Sequence, residues 1–271
     1  MSKPVLYVFG LSVWSAAAEL AAAELYPENA IEYKTISLLN GENFAPSFID
    51  KNPNGTIPTL EAEGKIYTST AQVTSYLVKN APTSVKAANA ELIETIHADK
   101  YDPNFMLLLS RNDEDFKTKA NFAHVYLGNP ALEKHSVLPE AEAHKSFYEG
   151  KLASNGGLLA LFKGEAPPAA KDDLFAKSQA HFDNVKSFLY GSLLSYLPES
   201  GFIGGNIPGE DDYHVCAWLT RIVASVGGKS KDDSLAAVEK AFGGPVPSKI
   251  VSYWGAWTGR SSWTKVYASL H

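Results

Sequence analysis

Three places in this chain carry groups of the kind that activate a nucleophile or hold an anion. The first is LYVFGLSVWSAAAEL, residues 6–20, where an apolar strand-like run gives way to an alanine-rich helix across a loop holding Ser12, Trp14 and Ser15. A hydroxyl at such a junction caps the helix. It can also donate to an anion seated at the helix start, where free N–H groups and the macrodipole favour negative charge. The second place is NGTIPTLE, residues 54–61, in which Pro58 opens a strand. A strand that begins this way can present the main-chain N–H and C=O of Ile57 to an extended peptide. The third is YTSTAQ, residues 67–72, where Ser69 and Gln72 form an S-x-x-Q capping box ahead of an apolar helical face. That is a second helix N-terminus able to hold a carboxylate.

The elements that must position these groups are legible from periodicity. Val5 to Phe9 reads as a strand, Ala16 to Leu25 as a helix by propensity, and Ile31 to Ile36 as a half-buried strand by its alternation. FAPSFIDKN makes a weak helical turn ended by Pro53. TIPTLE and KIYT are brief strands joined by a tight turn at AEG, and Ser69 to Lys79 is a helix with Val73, Tyr76 and Leu77 on one face. The order is β-α-β-α-β-β-α. KNAPTSVKAANAE then reads as a polar linker, beyond which the pattern is helical over about 87–110, 113–127, 139–163, 171–197, 210–226, 233–242 and 247–259, with Pro103 kinking the first. The partition expected is a small α/β domain over 1–82 and a larger all-α domain over 87–271.

Composition narrows the function. The 271 residues carry a net charge of −6 with no basic stripe, which argues against nucleic acid as a partner. No apolar run reaches the roughly 18–20 residues needed to cross a bilayer, and the N-terminus has neither a signal-peptide nor a transit-peptide pattern. Cys216 is the single cysteine, so no internal disulfide or thiolate metal cluster is expected, and the seven histidines form no HExxH. Neither a GxxxxGK[ST] nor a GxGxxG loop is present, so no nucleotide site is expected.

NPNGTIPTLE, a strand, then TSTAQVTSYL within this element order resembles the N-terminal thioredoxin-like domain of the cytosolic glutathione transferases, fungal members in particular. The all-α half resembles the same family. GFIGGNIPGEDDYHVCAWL, residues 201–219, matches its glycine turn and core helix, with Asp212 at the family aspartate, Gly209 at the cap where Ser or Thr is usual, and Ile207 with Tyr213 as a candidate staple. WGAWTGRSSWTKVY resembles the closing helix, with Ser261 where proline is common.

This resemblance implies glutathione as co-substrate, with no metal and no nucleotide. The main chain of Ile57, before a cis Pro58, would pair with the cysteinyl part, and Ser69 would hold the γ-glutamyl carboxylate. Thr68 stands where an acidic or amide residue usually helps grip the α-amino group. Asn43 and Lys51 are candidates for the glycyl carboxylate. A thiol of pKa near 8.5 is mostly protonated at neutral pH, and lowering it by two units needs about 2.7 kcal/mol of anion stabilisation. The candidate donors are Tyr7, Ser12 and Ser15. Ser12 is favoured over Ser15, although matching Leu20 to the family's core position puts Trp14 at the catalytic place. No cysteine occurs in the first domain, which disfavours the cysteine-dependent branches.

Trp14, Tyr101, Phe105, Met106 and Phe116 are the candidates for a pocket that takes a flat, apolar electrophile. The expectation is a serine-type transferase, cytoplasmic and homodimeric, acting in detoxification of xenobiotics by conjugating small hydrophobic or aromatic electrophiles or exchanging aryl thioethers or ethers. The alternatives are a non-catalytic, ligandin-type binder of aromatic ligands and a regulatory protein on the same fold. Extra length relative to the family falls around residues 126–157 and bears on the two-fold dimer.

Overall fold

The computed structural model describes residues 3–271. Four strands, β1 (Val5–Val8), β2 (Glu32–Thr35), β3 (Thr59–Ala62) and β4 (Lys65–Tyr67), form one sheet in the order β2-β1-β3-β4. β1 pairs parallel with β2 and antiparallel with β3, and β3 turns back into β4 through Glu63 and Gly64, both at positive φ. Helices α1 (Val13–Leu25) and α3 (Thr70–Lys79) cover one face, and the short α2 (Pro46–Ile49) lies on the other. Alternation along β1 sorts its side chains accordingly. Leu6 and Val8 enter the core with α1 and α3, whereas Tyr7 turns the opposite way, onto Phe48 and Ile57. This is a thioredoxin-like unit, and a helical region follows it.

Register decides what meets at the end of the sheet. Tyr7 of β1 lies opposite Thr59 of β3, and Leu60 of β3 lies opposite Tyr67 of β4. β3 runs antiparallel to both neighbours, so the exit of β1, the entry of β3 and the exit of β4 share one end. The Ser12 loop, Ile57–Pro58 and Ser69 are therefore gathered from three separated segments.

β2 departs from its alternating pattern. Glu32, Tyr33, Lys34 and Thr35 are all exposed, because β2 is the edge strand and α2, at four residues, is too short to cover it. Ile31 and Ile36 at its ends supply the anchorage instead.

The helical region comprises α4 (Ala90–His97), α5 (Asp113–Leu127), α6 (Pro130–Ser136), α7 (Lys145–Lys163), α8 (Pro168–Tyr190), α9 (Glu210–Ser225), α10 (Ser234–Phe242), α11 (Ser248–Thr258) and α12 (Ser261–Val266). The helix expected over 87–110 stops at His97 rather than kinking. Asp102 is extended, as the residue before a proline prefers, and a separate 3-10 turn follows over 103–107. The helix expected over 171–197 breaks at Gly191. α6 was not anticipated; Asn129 caps it, its Oδ1 accepting from the Ala131 N–H at 2.9 Å, with Pro130 at the first helical position.

α9 is the hub, buried from Glu210 to Val223 and packed against α1, α3, α4 and α10. Its first turn is closed by its own acids. Asp212 accepts from the N–H groups of Ile203 (2.8 Å), Gly204 (2.7 Å) and Gly209 (2.8 Å) and from the Tyr253 hydroxyl (3.0 Å). Glu210 and Asp211 accept the Ala88 and Asn89 N–H groups, so the segment read as a linker is docked rather than loose. Gly209 is required at the cap by space: a Cβ there would stand 2.9 Å from the Lys86 carbonyl oxygen. Ile207 is 46% exposed and forms no staple; the Tyr213 hydroxyl donates to the Pro208 carbonyl oxygen instead.

The extra segment folds back on the first domain. Asn129 Nδ2 donates to the Leu39 carbonyl oxygen, the Tyr148 hydroxyl to that of Phe44, and His144 pairs with Asp50. No helix among the described residues is long and apolar enough to cross a membrane.

Candidate functional site

The Ser12 corner is built by a tight reversal. The Ser12 N–H donates to the Phe9 carbonyl oxygen at 2.8 Å, and Ser12 Oγ caps α1 by accepting the Ser15 N–H at 3.3 Å. Among the described residues nothing accepts the Ser12 hydroxyl proton, and the residue is half-buried. Ser15 differs: it is fully buried and its Oγ accepts the Phe9 N–H at 3.3 Å. Tyr7 is directed away, its hydroxyl donating to Glu61 Oε1 at 3.0 Å on the α2 side of the sheet. Burial, then that carboxylate, raises the Tyr7 pKa.

Across the sheet end, the Ile57–Pro58 peptide is cis, and no hydrogen bond among the described residues uses the Ile57 N–H or C=O. Asn52, fully buried, holds this turn. Its Nδ2 lies within hydrogen-bond distance of the Thr56 carbonyl oxygen, Thr59 Oγ1 and the Thr68 carbonyl oxygen, tying the entry of β3 to the exit of β4. Ser69 then caps α3 from an exposed position, accepting the Gln72 N–H at 3.3 Å, while Gln72 Oε1 accepts the Thr68 N–H.

The two residues expected toward the glycyl end are engaged within the protein. Asn43 is buried, with Nδ2 donating to the Gly55 carbonyl oxygen at 2.9 Å. The Lys51 ammonium pairs with Glu61, which raises the lysine pKa and lowers that of the carboxyl.

A cleft of about 490 Å³ opens between α3 and α4, lined by Ser69, Thr70, Ala71, Glu94, His97 and Glu210 among others. Behind it runs a hydrogen-bonded relay without precedent in the sequence reading. Thr74 Oγ1 lies within hydrogen-bond distance of the Thr70 carbonyl oxygen and 2.7 Å from His214 Nε2. His214 Nδ1 in turn lies 2.8 Å from His97 Nε2. Both imidazoles stay neutral, because burial pushes His97 down to about 4 and drives His214 well below its ordinary value. Trp14 packs on His97 with ring centroids 3.8 Å apart.

The five candidates for an apolar pocket are dispersed. Trp14 is half-buried beside the Ser12 corner, Tyr101 packs on Phe188, and Phe105 is 42% exposed and meets His181 edge-on. Met106 is fully buried in the main core, and Phe116 stacks on Phe162 in a separate cluster between α5 and α7. Sequence reasoning missed Asn52, His97 and Arg221. Asn52 stands inside the N-P-N-G run already singled out, but its role depends on Thr68 across the hairpin. His97 and Arg221 are single polar residues in helices and carry no local signal.

Residues 6–85 match the family model of the glutathione S-transferase N-terminal domain. No curated protein sequence matches the chain. Among solved structures, the chain is similar to the beta-etherase LigF from Sphingobium sp. strain SYK-6, at 16% identity and a TM-score of 0.59, covering 98% of this chain and 99% of that one. It is similar to human glutathione S-transferase T1-1 in its apo form, at 14% identity and a TM-score of 0.56, covering 98% and 88%. It is also similar to glutathione transferase Omega 3C from Trametes versicolor, at 14% identity and a TM-score of 0.53, covering 98% and 84%. At these identities the likeness is one of fold.

Proposed function

We propose that this protein is a serine-type glutathione transferase. The observation that carries the reading is the sheet end, where the unused main chain of Ile57 lies between the Ser12-capped start of α1 and the Ser69-capped start of α3. Those groups suit an extended γ-glutamyl peptide. Its terminal carboxylate faces the N–H groups of α3, its cysteinyl backbone pairs with Ile57, and its sulfur falls at the Ser12 corner.

In this reading Ser12 Oγ–H, with no other acceptor, donates to the sulfur and stabilises the thiolate. Ser15 keeps the loop in place. The thiolate attacks an electrophilic carbon of a flat, apolar acceptor, the carbon–sulfur bond forms, and the leaving group departs with the bonding pair. Trp14, Tyr101 and Phe105 are the aromatic side chains we assign to the acceptor side. Asn43 and Lys51 are assigned no direct role: the Asn43 amide donates to the Gly55 carbonyl oxygen, and Lys51 pairs with Glu61. A cytoplasmic homodimer active in detoxification of small aromatic electrophiles goes with this assignment.

The test is an ultraviolet titration of the thiol of bound glutathione in wild type, Ser12→Ala and Ser15→Ala. The expected result is a thiol pKa near 6.5 in wild type, raised by about 1–2 units in Ser12→Ala and unchanged in any folded Ser15→Ala. An ordinary thiol pKa in wild type removes the catalytic reading and leaves a binding protein.

A further inference from the structure

Arg221 lies inside α9 and is only 5% exposed. Its Nη2 donates to the Leu11 carbonyl oxygen at 2.5 Å, and its Nε is buried with no partner. No ion pair among the described residues includes it. A guanidinium held this way keeps its positive charge in a medium that screens poorly, so its field reaches the neighbouring residues with little loss.

Few charged groups stand near it. Asp102, ahead of the 3-10 turn, Tyr126 of α5, and Tyr267 beyond α12 are the groups whose charge acts on Arg221, and His271 at the chain end feels it in turn. Asp102 is the single carboxyl among them. Its Oδ1 accepts the Asn104 N–H at 2.9 Å, and it forms no ion pair with the guanidinium. Burial keeps the Tyr267 hydroxyl protonated, and it pushes His271 down to about 4, so that ring is neutral.

The contact itself falls at a telling place. Leu11 C=O and Ser12 N–H belong to one peptide unit, whose oxygen is held by Arg221 and whose N–H is held by the Phe9 carbonyl oxygen. That peptide is pinned at both ends, and it sets where the Ser12 side chain leaves the backbone.

We infer that Arg221 is a positioning residue for the Ser12 corner: it fixes the Leu11–Ser12 peptide and supplies the buried positive charge that favours a thiolate beside Ser12. The inference rests on the glutathione reading above. It adds a third source of anion stabilisation to a hydroxyl and a helix start, and it draws that source from the far domain. Docking of α9 on α1 therefore becomes part of the activation of the thiol.

The thiol pKa of bound glutathione, read by ultraviolet titration beside a calorimetric glutathione affinity, tests this in Arg221→Lys, Arg221→Met and Arg221→Gln. Lysine keeps the charge; glutamine keeps a donor for the Leu11 carbonyl without it. The expected result is a thiol pKa raised by about one unit in the methionine and glutamine variants, roughly a tenfold loss of thiolate at a given pH, with lysine close to wild type and affinity within about threefold. If methionine prevents folding, the glutamine variant carries the same reading. A depressed thiol pKa that persists in Arg221→Gln overturns the inference and leaves the glutathione reading standing. A wild-type protein that binds no glutathione overturns both.

Discussion

Two kinds of helix start stand side by side in this protein. At α9, the first-turn acids Glu210, Asp211 and Asp212 accept N–H groups from the linker and the 201–209 turn, and the first turn of the helix is buried. At α1 and α3, one serine hydroxyl serves each terminus and the rest faces a loop or a cleft. The physics of a helix N-terminus is the same in all three: free donors and a partial positive charge. What differs is who satisfies it. α9 is closed by the chain itself, so it serves the fold, while in the proposed glutathione reading α1 and α3 are the starts a ligand completes.

The contrast is broken most severely by Asp212→Ala. It strands the buried Gly209 N–H and Tyr253 hydroxyl and the half-buried Ile203 and Gly204 N–H groups, so unfolding free energy should fall by about 3–4 kcal/mol in urea denaturation. Asp212→Asn, which keeps half of the acceptors, should lose less.

Next comes pH, through the relay that ties the two regions together. His97 is held near 4 against an ordinary value of 6.5. The folded state therefore takes up its proton later than the unfolded chain does. The stabilisation is fully present above about pH 6.5 and is lost as pH falls toward 4, by on the order of 2–3 kcal/mol. His214 is depressed further, so it adds to the same slope and carries it to lower pH. Denaturation midpoints measured from pH 7 to pH 4 should fall steadily in wild type and more gently in His97→Gln.

Ser69→Ala is the smallest change and the sharpest comparison with Asp212. Loss of the cap should lower stability by only about 1 kcal/mol, yet glutathione affinity measured by calorimetry should weaken about tenfold. A variant that loses stability and keeps affinity would place α3 with α9, as a fold element.

Much of this was legible in the chain. Periodicity and the TIP, AEG and S-x-x-Q signals identify the thioredoxin-like element order, because each rests on backbone preferences within a few residues. Boundaries slipped where one residue leaves the helical backbone: Ala98 is extended and ends α4 five residues before Pro103, and Gly191 ends a long helix. Burial slipped at β2, since alternation reports an apolar face and cannot say whether anything covers it. The two candidate serines are chemically equal on paper. They separate in the structure, where Ser15 is fully enclosed and Ser12 is not.

The sequence by itself determined the local devices: which residues start helices, which open strands, and that hydroxyls stand at two of those starts. Only the tertiary structure decided their partners. Lys51 and Asn43 are drawn into internal pairs, Met106 and Phe116 into cores, and Arg221 is brought some two hundred residues along the chain to the carbonyl next to Ser12. The reason is range. Capping and alternation act within a turn or a strand, whereas burial, desolvation and charge act through space and depend on which distant helix packs alongside.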